Sequence, residues 1–260
     1  GGFAAGLKPT GNKDPFALRR NALGLARTLL EGGFDLPIKN LLSLASQKAQ
    51  SALIFVNSRA HSDAVENAKS QGVQVKEFQS GANWYPHLET LISELIEFTY
   101  DRLRGYFNDQ GFNEQQFDAV LAVEHQSLPD FAKRLSAVAE FAKLPEASAL
   151  AAANKRIGNI LKKSANEAAE KVSEDLLQEQ AEKDLWHAVS QLELSNAPKL
   201  QTRDYVGVLQ ALAGLRAPVD AFFESVMVNA DDAAVRANRL ALLLTIADQF
   251  NAVGDISLLA

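Results

Sequence analysis

Four cationic side chains and one amide recur on a single side of the stretch Ala151–Lys163. At about 100° per residue in a helix they fall within one arc of roughly 120°. The five residues are Lys155, Arg156, Asn159, Lys162 and Lys163. Lysine and arginine neutralise phosphates, and amide or guanidinium groups hydrogen-bond the edges of unpaired bases. The spacing therefore favours a surface for nucleic acid, and the competing interpretation is a solvated helix face.

The element that must position this surface is a helix with an apolar back. Pro145 and Glu146 stand where a helix commonly begins. Apolar residues then recur at helical spacing on the side away from the cations, at Leu150, Ala153, Ile157, Ile160 and Leu161. We therefore expect one packed helix that presents its cations to solvent.

Composition limits the class of protein. The 260 residues are 47% hydrophobic, which is typical of a globular chain and not of a disordered one. The absence of cysteine excludes disulfides and thiolate metal sites and is compatible with a reducing compartment, so we expect a cytoplasmic protein. No apolar run reaches about 18 residues, which predicts no membrane span. The opening Gly1–Leu7 lacks the basic start of a signal peptide and looks like a cut through a domain.

Charge is distributed unevenly along the chain. The formal net charge is −6, so a basic coat over the whole surface is absent. Between Phe131 and Lys163, however, seven cations stand against only Glu140 and Glu146. An acidic stretch, Glu167–Asp184, follows, and we expect it to be helical. A local basic patch on an acidic protein can bind RNA with modest sensitivity to salt.

The chain predicts a mainly α protein in two parts. Residues 86–260 show repeated helical stripes separated by turn signals and predict a helical bundle. Residues 1–85 predict a smaller, mostly helical region. Within it Ala52–Val56 fits either a buried strand or a helix, whereas Val73–Phe78 alternates like a strand. A small strand–helix–strand insert is one interpretation of this stretch.

Signatures of catalysis and of metal binding are absent from the sequence. The four histidines have no partner at the spacing of a zinc site. No glycine-rich phosphate loop follows a strand, and no G-x-S-x-G elbow occurs. The carboxylates are spaced as on helix surfaces and give no specific acid–base pair. We expect neither a catalytic centre nor a metal site in these residues.

Two arginines near the end of the chain extend an apolar helical stripe. Arg236 and Arg239 precede Leu243 at helical spacing, whereas Asn238 is expected on the other side. An arginine on an inward stripe usually pairs with a carboxylate or lies at the mouth of a site. We expect a structural ion pair for Arg239. For Arg236 a salt bridge and a ligand contact are both open.

Five sequence strings follow one another in an order that resembles a known family. They are Lys8–Arg20, Leu103–Tyr106, Ala151–Arg156, Pro218–Phe223 and Val235–Leu242. Together they are similar to the C-terminal part of the β subunit of bacterial glycyl-tRNA synthetase, over nearly the whole chain except about Gln47 to Trp84. The last 100 or so residues also resemble the helical DALR-type anticodon-binding domain.

This resemblance implies a place in a larger enzyme, a glycine–tRNA ligase that joins glycine to tRNA(Gly) through an adenylate. The α subunit would hold that active site and use the ATP, so this chain would need no cofactor. Gly1–Gly33 would be the tail of an HD-like domain; an HD-type hydrolase remnant is a remote alternative, since its ligands are missing.

The partners implied are tRNA(Gly) and the α subunit, with no membrane. Lys155, Arg156, Asn159, Lys162 and Lys163 would touch the anticodon arm, and Arg236 is a lesser candidate. The alternative is a helical scaffold for subunit assembly without direct RNA contact.

Overall fold

The computed structural model describes residues 8–10, 13–14, 16–49, 51, 59, 88–164 and 167–260. Within these ranges the chain is built of helices, and the only β pairing described is an isolated antiparallel bridge between Thr10 and Lys13. The mainly α prediction is therefore confirmed. The predicted strand–helix–strand insert lies outside the described residues.

Ten α-helices can be followed in chain order through the described residues. They are α1 (Leu18–Glu31), α2 (38–49), α3 (Leu88–Asn108), α4 (Glu114–Leu121), α5 (Leu128–Phe141), α6 (Ala147–Lys163), α7 (Gln180–Gln201), α8 (Tyr205–Ala211), α9 (Arg216–Ser225) and α10 (Ala233–Phe250). Short 3₁₀ helices occur at Glu174–Leu176, Leu212–Leu215 and Ile256–Leu259. The chain divides into two compact units, Gly1–Tyr106 with Ser127–Pro129, and Phe107–Gln126 with Asp130–Ala260.

In the first unit, side chains and turn residues fix the ends of α1. The Asp14 carboxylate accepts hydrogen bonds from the backbone N–H groups of Leu18 and Arg19, at 2.8 and 2.9 Å. These donors have no partner inside the helix, and the carboxylate satisfies them. Gly33 ends the helix at φ 63°, a left-handed conformation that glycine adopts without steric cost. Both signals lie within a few residues of the helix ends that they fix.

The core of the second unit is organised around an aromatic cluster and a central helix. The rings of Phe107, Phe117 and Phe131 lie with centroids 5.0–6.2 Å apart. The central helix is α10, which buries ten of its residues and presents an apolar surface on nearly every side. A helix of this composition is stable only inside a protein core. It packs against α6, α7 and the 3₁₀ turn Glu174–Leu176.

The acidic stretch after α6 differs from the expected helix. Only from Gln180 onward is it α-helical; Glu167–Glu179 is irregular apart from one 3₁₀ turn. The Asn238 side chain holds both backbone groups of Ser173, at 2.7 and 3.0 Å, so the segment lies along α10. These bonds replace helical ones. Asn238, which the sequence placed on the side away from the two arginines, is buried because this segment covers it.

Residues Tyr205–Ser225 have the length and apolar composition of a membrane-crossing helix. The stretch is divided into α8, a 3₁₀ turn and α9. Its residues Val208, Leu212, Val219 and Phe222 are buried within the second unit. This is the pattern of a core segment in a globular bundle.

Candidate nucleic-acid interface

Helix α6 begins at Ala147, directly after Pro145 and Glu146, and ends at Lys163. Its alanine-rich sequence favours the helical state, because alanine loses no side-chain entropy on folding. Lys162 and Lys163 occupy its last turn. Cations there are favoured by the negative end of the helix dipole. The two lysines therefore have a structural role whether or not they bind a ligand.

The back of α6 is packed only in part as the periodicity predicts, because Ala153, Ile160 and Leu161 are half-buried. Leu150, Ala151 and Ile157 are buried. Asn154 is buried beside them, and its side-chain amide donates to Asn251 Oδ1 at 2.8 Å and to Asp255 Oδ1 at 3.4 Å. This amide fastens α6 to the turn after α10. The sequence did not single out Asn154, because its partners stand about a hundred residues further on.

We expect the Asn154→Ala variant to lose about 1–3 kcal/mol of unfolding free energy, because a buried amide that links α6 to two half-buried acceptors is removed. Chemical denaturation followed by circular dichroism measures this loss. Asn159→Ala is the matched control, because Asn159 lies on the same helix and is exposed. That control should change stability by less than about 0.5 kcal/mol. Equal stabilities for the two variants would contradict the proposal that Asn154 fastens α6 to the turn after α10.

The front of α6 is open to solvent. Lys155, Arg156, Asn159, Lys162 and Lys163 are all exposed. No acidic residue occurs in the helix sequence. Within the described ranges none of the four cations is in an ion pair. The cationic face, as we call these five residues, therefore keeps its charge available for a ligand.

A groove of about 580 Å³ runs beside the cationic face. The apolar side chains of Ala152 and Ile160 form its floor, and four residues of the cationic face form its rim. The lining residues are Ala152, Lys155, Arg156, Asn159, Ile160, Lys163 and Ala260. An apolar floor with a cationic and amide rim can take a flat ring and hold the charged chain attached to it.

One groove residue has an aromatic neighbour. The guanidinium carbon of Arg156 lies over the ring of Phe223 in α9, 4.0 Å from its centroid. Phe223 is half-buried and also meets the buried ring of Phe222 edge-on. Phe223 lies in Pro218–Phe223, one of the strings that carry the family resemblance, but the sequence analysis assigned it no function. No short-range signal connects it to α6, because the two are brought together only by packing.

Two other cations of the basic region form ion pairs within the protein. Arg134 is 12% exposed and pairs with Asp130, with 3.0 Å between Nε and Oδ2. Lys143 pairs with Glu140 at 2.7 Å. The basic region between Phe131 and Lys163 therefore contributes fewer unpaired charges than its composition suggests, and the cationic face of α6 contains most of them.

The two arginines of α10 have different surroundings. Arg239 is buried and pairs with Glu182, with 2.6 Å between Nε and Oε1, which confirms the predicted structural ion pair. Its Nη1 also donates to the Met227 carbonyl. Arg236 is partly exposed, pairs with Glu167 at 3.2 Å and donates to the Ala230 carbonyl. The structure thus gives Arg236 a salt bridge and does not place it in the groove.

Burial and hydrogen bonds shift the pKa of Glu182. Burial favours the neutral acid, but Arg239 and the backbone N–H groups of Glu179 and Gln178 outweigh it, so the pKa lies below its usual value. The carboxylate is therefore ionised at neutral pH. Among the described residues no group of three or more histidine, aspartate or glutamate side chains has the arrangement of a metal site.

Two family models match the chain. The model of the glycyl-tRNA synthetase beta subunit matches residues 1–122, and the model of the DALR anticodon binding domain matches residues 150–256. The second match includes the cationic face, Phe223 and α10. The helical form expected of such a domain agrees with the described fold.

Curated relatives match the chain from end to end. The chain is 45% identical over 258 residues to the glycine–tRNA ligase beta subunit of Methylobacillus flagellatus, covering 99% of the chain and 32% of the relative. It is 46% identical over 256 residues to that of Xanthomonas campestris pv. campestris strain 8004, covering 98% and 33%. The chain spans about a third of the length of these relatives. Two models in succession and relatives aligned along the whole chain agree on one assignment: the chain belongs to the glycyl-tRNA synthetase beta subunit family and includes its DALR-type domain.

Proposed function

We propose that this chain is a tRNA-binding part of a glycine–tRNA ligase and that the cationic face of α6 holds the anticodon arm of tRNA(Gly). One observation carries the proposal. Four of the five exposed polar side chains of the cationic face line a groove with an apolar floor, inside the span matched by an anticodon-binding model. ATP-dependent attachment of glycine would occur in the cytoplasm at the α subunit, and this chain would contribute binding without catalysis.

The side chains of the cationic face differ in the RNA groups that they can bind. Lys155, Lys162 and Lys163 are mobile point charges suited to phosphate oxygens, whose position they can follow. Asn159 offers both a donor and an acceptor, so it can discriminate base edges. Since the whole chain carries a net charge of −6, RNA would be attracted to this face and repelled by much of the remaining surface.

Arg236 remains a secondary candidate. To meet RNA its guanidinium would have to leave Glu167, which it contacts at 3.2 Å. A partly exposed pair of this kind is weak, so exchange for a phosphate is energetically accessible. Its substitution should therefore have a smaller effect than substitution of the cationic face.

The test is tRNA(Gly) binding by the β subunit containing this chain, assembled with its α subunit. We expect the variant with Lys155, Arg156, Lys162 and Lys163 all changed to alanine to bind on the order of 100-fold more weakly near physiological salt. The slope of log affinity against log salt should fall by about 2, since three lysine–phosphate contacts are lost and each contributes roughly 0.7. Filter binding at several salt concentrations measures both quantities.

The matched control is Lys133→Ala with Lys183→Ala. Both lysines are exposed, and neither lies on the cationic face. This control should bind as the unmodified protein does. Unchanged tRNA binding in the quadruple variant would overturn the proposal. If that variant instead lost the α subunit, the alternative would be favoured, namely a helical scaffold for subunit assembly.

A further inference from the structure

Arg156 differs from the three lysines of the cationic face in how it is held. Its guanidinium lies over the ring of Phe223 at 4.0 Å and makes no ion pair within the described part of the chain. An aromatic ring stabilises a cation through the negative charge of its face. The contact covers one side of the guanidinium and leaves its N–H groups without a carboxylate.

Arg156 borders a space suited to a base. Arg156 lines the groove, whereas Phe223 does not. The groove also includes the side chains of Ala152 and Ile160, which offer nothing to a phosphate. Apolar surface next to a planar cation is the environment that an unstacked nucleobase prefers, because bases stack on arginine planes as they do on aromatic rings.

We propose that Arg156 stacks on one unpaired base of the tRNA loop and that Phe223 braces the guanidinium from behind. Asn159, on the rim of the same groove, contacts the edge of that base, while Lys155 and Lys163 neutralise flanking phosphates. The inference rests on the proposed function and refines it. Arg156 is assigned to a base and not to the backbone, and Phe223 is a positioning residue.

The conservative variant Arg156→Lys separates the two roles of the arginine. It keeps the positive charge but removes the planar group. Under the stacking proposal, the assembled enzyme should bind tRNA(Gly) about tenfold more weakly, because stacking on a side chain contributes roughly that much affinity. The salt slope should not change, since no phosphate contact is lost. A phosphate-binding arginine would instead tolerate lysine with little loss.

A second measurement changes the RNA as well as the protein. tRNA(Gly) carrying an abasic nucleotide at each anticodon-loop position in turn is bound by the unmodified enzyme and by Arg156→Lys. At one position the abasic RNA should bind weakly, and there the Arg156→Lys change should have no additional effect. Such non-additivity is expected only if the side chain and the base contact each other.

Phe223 is tested through Arg156. Phe223→Leu keeps an apolar side chain but removes the ring face, and it should weaken binding of intact tRNA(Gly) as Arg156→Lys does. That loss should likewise disappear with the RNA that is abasic at the same loop position. Phe223→Tyr keeps the ring face, so this variant should bind tRNA(Gly) as the unmodified enzyme does. A purely structural role for Phe223 would lower the melting temperature without this dependence on the loop nucleotide.

The outcomes distinguish the two proposals. If the quadruple variant binds weakly but Arg156→Lys binds every RNA as the unmodified enzyme does, the stacking inference is wrong and the proposed function stands. If neither variant loses affinity, both are wrong. A tenfold loss in Arg156→Lys that disappears only when the base at one loop position is removed supports the stack.

Discussion

The Arg239→Leu variant is expected to lose about 3–5 kcal/mol of unfolding free energy, because it leaves the Glu182 carboxylate buried without its counter-ion. Glu182 and Arg239 are 0% and 6% exposed, so water cannot replace the lost partner. Two backbone N–H groups still donate to Glu182, and they limit the damage. The Met227 carbonyl also loses a donor. Urea denaturation at pH 7 measures the effect.

The control and the pH dependence sharpen this test. Arg216→Leu removes an exposed arginine whose Nε lies 3.8 Å from Asp220, and it should change stability by less than about 1 kcal/mol. The pKa of Glu182 is lowered in the folded protein, so the pair stabilises above the unfolded-state pKa. That contribution is lost as pH falls through the folded-state pKa. The difference between Arg239→Leu and the unmodified chain should therefore shrink in acid; a constant difference would contradict the ion-pair explanation.

The second large effect is expected at Asp130, whose carboxylate is completely buried. One oxygen accepts from the Tyr205 hydroxyl at 2.5 Å, and the other accepts from Arg134 Nε and the Gln126 N–H. Asp130→Ala leaves all three donors without an acceptor, and we expect a loss of about 3–5 kcal/mol. Thermal unfolding and urea denaturation both measure it.

The same substitution should also affect the proposed binding of tRNA by the cationic face. Arg134 donates to the carbonyls of Ala252 and Val253, in the turn that also contributes the acceptors of Asn154. Release of Arg134 would loosen this turn behind α6, so Asp130→Ala should weaken tRNA binding at temperatures where the domain remains folded. Tyr205→Phe removes one hydroxyl only and should cost about 1–2 kcal/mol. Equal losses in the two variants would show that Asp130 acts through Tyr205 alone.

Sequence alone could predict features whose causes are local. Asn113 caps α4 through a reciprocal capping box, and Asp232 caps α10. The cationic face of α6 follows from helical periodicity. Arg239 could be assigned to an ion pair because an arginine on an inward stripe needs one, although its partner could not be named.

Features that depend on distant partners could not be predicted. Asn154 and Asn238 are polar residues that the core accepts only because segments far along the chain satisfy them. The residues before Gln180 are irregular because Asn238 and Glu182 take up their backbone groups. Phe223 reaches Arg156 only through the packing of α9 near α6. Periodicity describes one element at a time and cannot show such pairings.

The ring beneath Arg156 has a consequence for the entropy of association. A long side chain that becomes fixed at an interface loses roughly 0.5–1.5 kcal/mol in rotamer freedom. Phe223 restricts this arginine when the domain folds, so part of that loss occurs before any RNA arrives. The lysines nearby keep their freedom and can adapt to a moving backbone. The face therefore combines one preorganised anchor with several adaptable charges.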